Sequence, residues 1–463
     1  MTETFEPKFP TDTEMGEEHS GQVRMAYRVA RYFNGTLLHV HGIGWHHWTG
    51  KRWEVDDGEA HARRAVLQIL RDALAESLGD KQLRADVKAC ESAAGISGVL
   101  QIASALVEFA VTVRDMDADP YLLNCDNGTL DLRTRQLREH DPADRLSKIT
   151  TAAYRPDADL AVWSGFLQTV LPDEPERAYL QRIIGQGVAG LVREHLFPVL
   201  IGAGANGKGT CYGAICFAMG DYATVINPDI LMVKDRGGIG GPELMMLRGA
   251  RLVVGSETDE GRKLDEALMK RLTGGDELTA RNLYQPPVTW SPTHQLLYVT
   301  NHEPKVKGND PATWRRIRVV PFEVIVPAEQ RDPGLPDQLK LHADAVLSWA
   351  IEGYFDYLDG GGMREPETVL RATDGYQRRS DPVARFVADD EYVTRPDDHG
   401  ARASTRELYS AWQRFALADG AEPMSEKAFS GELERLGFEK KTIGGRRVWP
   451  GLGIVSAPSG EGW

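Results

Sequence analysis

The stretch that decides the fold is "FPVLIGAGANGKGTCYGAICFAMG", residues 197–220. It opens with an apolar run, passes through a glycine-rich loop and continues into an amphipathic segment. A short apolar run bounded by glycine predicts a buried strand, and the apolar spacing after the loop predicts a helix. The segment therefore predicts the strand, loop and helix that open an α/β unit with parallel strands.

The loop has the composition of a phosphate cradle and fits the pattern G-x-x-x-x-G-K-x-T. Glycines let consecutive backbone N–H groups point at phosphate oxygens, and the start of the following helix favours an anion. Lys208 is placed to neutralise the β- and γ-phosphates of ATP, and Asn206 to hold the shape of the loop. The predicted nucleotide-binding residues are Gly202, Asn206, Gly207, Lys208, Gly209 and Thr210.

One position departs from the usual motif. Gly209 stands where a serine or threonine hydroxyl normally contacts Mg²⁺, and Thr210 offers a hydroxyl one residue later. We therefore predict Thr210 as a magnesium ligand. The same G-K-G-T spelling occurs in adenylate-kinase-type loops, so a monomeric nucleotide kinase is an alternative.

A second element supplies carboxylates. "RLVVGSETDEG", residues 251–261, reads as an apolar strand that runs into Glu257, with Asp259 and Glu260 just beyond. A carboxylate at the carboxyl end of a core strand, beside a phosphate loop, is placed to bind Mg²⁺ or orient water. Glu257 is favoured, but spacing alone does not divide the two roles among the three side chains.

Two further elements follow in order. "HQLLYVTNHEP", residues 294–304, is an apolar strand that ends near Asn301, whose amide can hold the attacking water or sense the γ-phosphate. "DPATWRRIRVVPF", residues 310–322, places Arg315 and Arg316 before another strand. Arginine stabilises phosphoryl-transfer charge, often from a neighbouring subunit. The alternative for this run is a salt-bridged helix end.

These elements, with "LLNCDNGTLDLRTRQLREHDPAD" and "MKRLTGGDELTARNLYQPPVTW", resemble the superfamily 3 helicases. The resemblance is closest to the phage and plasmid primase–helicase family, which includes poxvirus and satellite-phage members, and covers about residues 30–390. It implies an α/β, P-loop AAA+-like core. By position it assigns Glu257 the acidic role, Asn301 the sensor role and Arg316, or alternatively Arg315, the arginine finger.

The resemblance also implies an activity. It predicts an ATPase and DNA helicase that uses Mg²⁺ and ATP, forms a homohexameric ring and translocates on single-stranded or forked DNA. Lys270, Arg281 and Tyr284 would face that DNA, because a cation meets phosphate and an aromatic ring stacks on a base. A replication polymerase or primase is a further expected partner. An ATP-gated origin-binding or loader protein is the alternative.

The remaining regions complete the predicted organisation. Primer synthesis is not expected, because the region before residue 120 is short and lacks a suitable carboxylate constellation. The basic residues Lys440, Lys441, Arg446 and Arg447 would contact DNA phosphates from a winged helix, with protein binding as the alternative. The predicted divisions are a disordered arm (1–22), a mixed α+β domain (23–158), an ATPase domain (159–330, with a helical lead-in over 159–191), a helical lid (331–380), a linker (381–403) and a winged helix (404–463).

Composition sets outer limits. The net charge of −14 excludes a broadly basic, DNA-coating surface, and the four cysteines form no C-x-x-C pair, which is typical of reduced thiols. No apolar run is long enough for a membrane helix. We expect a cytoplasmic protein of a bacterial host, encoded by a prophage or plasmid. His39, His41, His46 and His47 lack a partner at ligand spacing, so packed or surface histidines are favoured over a metal site.

Overall fold

The computed structural model describes residues 16–233, 241–256, 261–281, 283–284, 287–306, 310–394 and 400–455. The architecture is mixed α/β. Within the described residues, helices flank a parallel sheet, and smaller units precede and follow it. None of the described helices combines the length and apolar character that a membrane crossing requires.

The amino-terminal unit packs helices against a small sheet with strand order β3-β2-β1-β4. The first helix begins inside the segment predicted as a disordered arm, because its apolar face, including Met25 and Val29, is buried in the core of this unit. The elements are α1 (Gly21–Phe33), β1 (Leu37–Val40), β2 (Gly44–Trp48), β3 (Trp53–Val55), α2 (Ala60–Glu76), α3 (Lys81–Cys90), α4 (Ala93–Ala103) and β4 (Ala110–Val111).

A second, three-stranded antiparallel sheet and two helices lead into the centre of the molecule. The chain turns twice in this region, which gives the sheet its three strands. The elements are β5 (Leu122–Cys125), β6 (Gly128–Asp131), β7 (Gln136–Arg138), α5 (Ala161–Val170) and α6 (Glu174–Gln186). The break between α5 and α6 falls at Pro172, which cannot continue a helix.

The central unit contains the quoted stretch. Its elements are β8 (Phe197–Ile201), α7 (Lys208–Met219), β9 (Ala223–Ile226), α8 (Gly241–Met245), β10 (Leu252–Ser256), α9 (Glu266–Leu272), β11 (Leu278–Ala280), β12 (Val288–Trp290), β13 (Gln295–Thr300), α10 (Pro311–Trp314), β14 (Ile317–Pro321), α11 (Leu335–Leu341), α12 (Ala343–Asp359) and α13 (Glu367–Ser380).

Five of these strands form a parallel sheet in the order β14-β8-β13-β10-β9. Both faces of the sheet are covered, so successive side chains along a strand pack into different hydrophobic cores. Val254 packs with α6, α7 and α12, whereas Val253 packs with α9 and the β11–β12 hairpin. A sheet buried on both faces explains why its strands read as continuous apolar runs. All carboxyl ends of these strands meet at one edge.

The carboxy-terminal unit begins earlier than predicted. The segment 381–403, expected to be a linker, contributes a helix and two short strands, because Val383, Phe386 and Val393 are buried against Trp412 and Phe429. Residues 395–399 of that segment lie outside the described residues. The elements are α14 (Pro382–Ala388), β15 (Val393–Thr394), β16 (Arg402–Ala403), α15 (Thr405–Asp419), α16 (Glu426–Arg435), β17 (Lys441–Ile443), β18 (Arg446–Pro450) and β19 (Gly453–Ile454).

Candidate nucleotide-binding site

A cavity of about 280 Å³ lies at the carboxyl edge of the central sheet. Its lining comes from the loop after β8, the first turn of α7, and the ends of β10 and β13. These strands are neighbours in the sheet, so residues separated widely in sequence meet at one place. The carboxyl ends of parallel strands are where ligands bind in open α/β sheets.

The loop after β8 depends on its glycines. Gly204 and Gly207 have φ values of +97° and +77°, which L side chains rarely adopt. At Gly207 a Cβ would also lie 2.5 Å from Val170 Cγ1. Asn206 Nδ2 donates to the carbonyl of Phe322 at 3.1 Å, which holds the loop against the chain following β14.

Lys208 connects the loop to the strand that precedes Asn301. Its side chain is largely buried, and Nζ donates to Gly202 O at 2.8 Å, Asn206 Oδ1 at 3.0 Å and Asn301 Oδ1 at 3.0 Å. Lys208 and Asn301 are 93 positions apart in the chain. Their contact brings the predicted phosphate-neutralising lysine and the predicted sensor amide to one wall of the cavity.

Gly209 and Thr210 occupy the first turn of α7 and line the cavity. A Cβ added at Gly209 would meet no atom within 4 Å. The missing hydroxyl is therefore not imposed by packing, since a serine would fit here. Cys211 follows directly and is buried, and burial raises the pKa of its thiol to about 12, which leaves it unreactive.

Tyr212 and Ser256 also line the cavity, although neither was predicted as a site residue. Ser256 Oγ donates to Tyr212 Oη at 3.0 Å, which joins α7 to the end of β10. Tyr212 follows Lys208 by four residues, so helical spacing places both on one face of α7. That spacing was the signal available in the sequence.

The predicted carboxylates Glu257, Asp259 and Glu260 lie outside the described residues. The strand that leads to them, β10, ends at Ser256 beside the cavity and pairs with β13 along its whole length.

The two predicted arginines differ in environment. Arg316 is buried, its Nη1 donates to Ala312 O at 2.7 Å, and burial together with the nearby Arg315 charge lowers its pKa below the ordinary value. Arg315 is exposed. Both precede β14, and a five-residue strand spans about 16 Å, so they lie at the sheet edge opposite the cavity.

The predicted DNA-contacting residues also divide. Tyr284 is 97% exposed and Arg281 is exposed, both in the connection between β11 and β12. Lys270 instead pairs with Asp310, the residue that caps α10. In the carboxy-terminal unit, Lys441, Arg446 and Arg447 are exposed on the β17–β18 hairpin, whereas Lys440 donates to Ser430 Oγ and lies over the Trp449 ring.

Parts of the chain match known protein families and known viral proteins. A family model described as "D5 N terminal like" matches residues 26–172, which cover the amino-terminal unit, the second sheet and α5. A second model, described as a family of unknown function, matches residues 200–316. "Putative helicase L207/L206" of Acanthamoeba polyphaga mimivirus is 29% identical over 319 residues, covering 64% of this chain and 33% of the relative.

"Putative primase C962R" of African swine fever virus, strain Badajoz 1971 Vero-adapted, is 24% identical over 317 residues, covering 63% of this chain and 33% of the relative. The chain is thus similar, over about two thirds of its length, to viral proteins named as a putative helicase and a putative primase. The chain spans about a third of the length of these two viral relatives. A solved structure of the NrS-1 C-terminal region is 11% identical, with a TM-score of 0.43, 66% of this chain covered and 77% of that one.

Proposed function

We propose that the protein is an ATP-dependent DNA helicase that works as a ring and moves on single-stranded DNA in replication. The observation that carries the proposal is the contact of Lys208 Nζ with Asn301 Oδ1 at 3.0 Å, in the wall of the cavity at the strand ends. It joins a phosphate-loop lysine to an amide positioned for water or γ-phosphate. An isolated glycine-rich turn would not require this partner.

The cavity suits the phosphates of ATP with Mg²⁺. Glycine-supported backbone N–H groups and the start of α7 favour an anion, and Lys208 supplies a positive charge within the wall. Thr210 and Glu257 are the residues proposed to hold Mg²⁺, which would neutralise charge on the transferred phosphate. Asn301 is proposed to orient the attacking water.

The strand order supports a P-loop, AAA+-like core of the superfamily 3 type. The strand that ends before Asn301, β13, lies between the phosphate-loop strand β8 and the strand β10 that leads to Glu257. The phosphate loop and Asn301 therefore follow neighbouring strands of the sheet. In the carboxy-terminal unit two helices lie between β16 and the β17–β18 hairpin of one three-stranded sheet, which supports the proposed winged helix.

The arginines support an active site shared between subunits. Arg315 stands before β14 at the edge of the sheet opposite its own cavity, so it is placed to serve the cavity of a neighbour. Because Arg315 is exposed and Arg316 is buried and bonded to Ala312, we propose Arg315 as the finger and Arg316 as its support. A shared site of this kind requires head-to-tail contacts between subunits, and by the family resemblance these would close into a hexameric ring.

The hairpin formed by β11 and β12 supports a role in holding DNA. Its connection presents Arg281 and Tyr284 to solvent, where a cation can meet phosphate and a ring can stack on a base. Lys270 is a weaker candidate, because its ammonium group is already paired with Asp310.

The test compares ATP hydrolysis and unwinding of a fluorescent forked duplex by wild type and by Lys208→Ala. The substitution should abolish both activities, since it removes the positive charge from the cavity wall. Lys88→Ala is the matched control, because Lys88 is an exposed lysine on α3. A wild-type protein that hydrolyses ATP but neither unwinds DNA nor responds to it would refute the helicase proposal.

The exposed basic hairpin of Lys441, Arg446 and Arg447 favours a second candidate, an ATP-gated origin-binding or loader protein. Such a protein would bind a blunt duplex of defined sequence without separating its strands. Binding of that duplex with no unwinding of the fork would support this candidate over the helicase.

A further inference from the structure

The fold of the amino-terminal unit brings together polar side chains that lie several residues apart in the sequence. His47 lies on β2 opposite Glu54 on β3, Asp56 follows β3, and His61 is in the first turn of α2. The return of the hairpin and the start of the helix place His47, Asp56 and His61 side by side. No metal-ligand partner for His47 stands at a recognisable spacing in the sequence, because Asp56 and His61 come from the next two elements.

The composition and spacing of this cluster suit a ligand set. His47, Asp56 and His61 each offer one ligand atom, and these atoms lie within 4.8 Å of one another. The two imidazole rings are stacked with centroids 3.6 Å apart, so one ring has to turn for the in-plane lone pairs of both to point at one ion, and His61 Nδ1 lies 3.0 Å from Asp56 Oδ1. Glu54 Oε2 lies 3.9 Å from His47 Nε2. Two imidazole nitrogens and one carboxylate oxygen are a common protein set for Zn²⁺.

One buried nitrogen atom of the cluster has no hydrogen-bond partner among the described residues. His47 Nδ1 is buried and makes no hydrogen bond to any described part of the chain. The cluster also borders a cavity of about 500 Å³, lined in addition by Asp57 and Lys148, and the His61 side chain is 45% exposed. A cation can therefore reach the three side chains from solvent.

We propose that His47, Asp56 and His61 form a binding site for a divalent transition-metal cation of the zinc class. The ion would tie the β2–β3 hairpin to the start of α2, with Glu54 or water as the further ligand. This site is separate from the proposed magnesium position, since Mg²⁺ prefers oxygen ligands. It goes beyond the proposed helicase activity and does not depend on it.

The test uses the full chain after chelator treatment, titrated with Zn²⁺ alone by calorimetry. A single saturable site of micromolar or tighter affinity is expected, and His61→Gln and His47→Gln should each weaken it by at least about tenfold. His41→Gln is the matched control, because His41 is exposed and outside the cluster. Asp56 is left intact because it also caps α2 through Ala62 N–H.

Thermal unfolding supplies a second readout. Stoichiometric Zn²⁺ should raise the unfolding midpoint of wild type and His41→Gln but not of His61→Gln, because a ligand that binds only the folded state stabilises it. The exposed His61 position keeps the test valid if His47→Gln fails to fold. Unchanged zinc affinity in His61→Gln, or no saturable binding to wild type, would overturn the proposal.

Discussion

The phosphate loop lacks a side-chain hydroxyl at the position that usually contacts Mg²⁺. Gly209 is exposed at the second position of α7, with open space where a side chain would be. Thr210, one residue later, is directed by the helix to a different angle around its axis. If Thr210 is the magnesium ligand, its hydroxyl should be movable to position 209 with partial recovery of function.

The first prediction follows from that geometry. Thr210→Ala should lower Mg²⁺-dependent ATP hydrolysis by at least about tenfold, and Gly209→Ser in the same chain should restore part of the loss. Gly209→Ser alone should fold normally, because the added atoms meet nothing and serine is the better helix former. Steady-state hydrolysis against Mg²⁺ concentration measures this. Hydrolysis by Thr210→Ala equal to that of wild type would exclude Thr210 as the ligand.

A second prediction concerns His294, which is buried before β13. Burial lowers its pKa to about 4, whereas in the unfolded chain it is about 6.5. Between these values the unfolded state binds more protons, so the contribution of His294 to stability is complete above pH 6.5 and is lost as the pH falls. From pH 7 to pH 5 the loss should be about 2 kcal/mol.

Urea unfolding of wild type and His294→Leu at both pH values isolates that term. The free energy of unfolding should fall by about 2 kcal/mol more in wild type than in the variant. His41→Leu should behave as wild type, since His41 is exposed. Parallel pH dependences in wild type and His294→Leu would contradict the assignment.

At the scale of elements, the β11–β12 hairpin is the feature with the clearest consequence. Thr279 and Thr289 pair across its strands at 2.9 Å between hydroxyls, and Leu278 and Trp290 are buried at its base. The base is anchored in the core, while Tyr284 stands 97% exposed beyond it. An anchored hairpin with an exposed aromatic residue is suited to stacking on a base.

Tyr284→Ala should weaken single-stranded DNA binding by about 10- to 100-fold, because stacking on one base contributes about 1–3 kcal/mol. Tyr284→Phe should retain most of the affinity, since it keeps the ring. Fluorescence anisotropy with a labelled oligonucleotide measures both. Tyr32→Ala is a matched control, because Tyr32 is an exposed tyrosine on α1. An equal loss in Tyr284→Phe and Tyr284→Ala would argue against stacking.

The same scale shows what sequence could predict. The phosphate loop, its strand and its helix follow local rules of glycine and apolar spacing, so 197–220 was read correctly as strand, loop and helix. Segment 381–403 was read as a linker because its charges hide three buried positions, Val383, Phe386 and Val393. The pairing of Lys270 with Asp310 and the cluster at His47 were not predictable, since both depend on contacts between separate elements.

For the whole molecule, the decisive relation is between the two edges of the central sheet. Lys208 lies at the carboxyl edge, and Arg315 precedes β14 at the other. The length of the strands therefore separates Arg315 from the cavity of its own chain. In a ring, each site would combine Lys208 of one subunit with Arg315 of the next.

Subunit mixing tests this arrangement. Lys208→Ala and Arg315→Ala rings should each be inactive in ATP hydrolysis. Random mixing in equal amounts should restore about a quarter of wild-type activity, because an intact loop then meets an intact arginine at about one interface in four. The control mixture combines Lys208→Ala with Arg402→Ala, which changes an exposed arginine of the carboxy-terminal unit. It should give about half the wild-type rate or more, because only the phosphate loop is then defective and only in half of the chains. Recovery depends on the arginine acting across the interface. If Arg315 served its own chain, every site in the mixture would still lack either Lys208 or Arg315. ATP hydrolysis would then stay at zero.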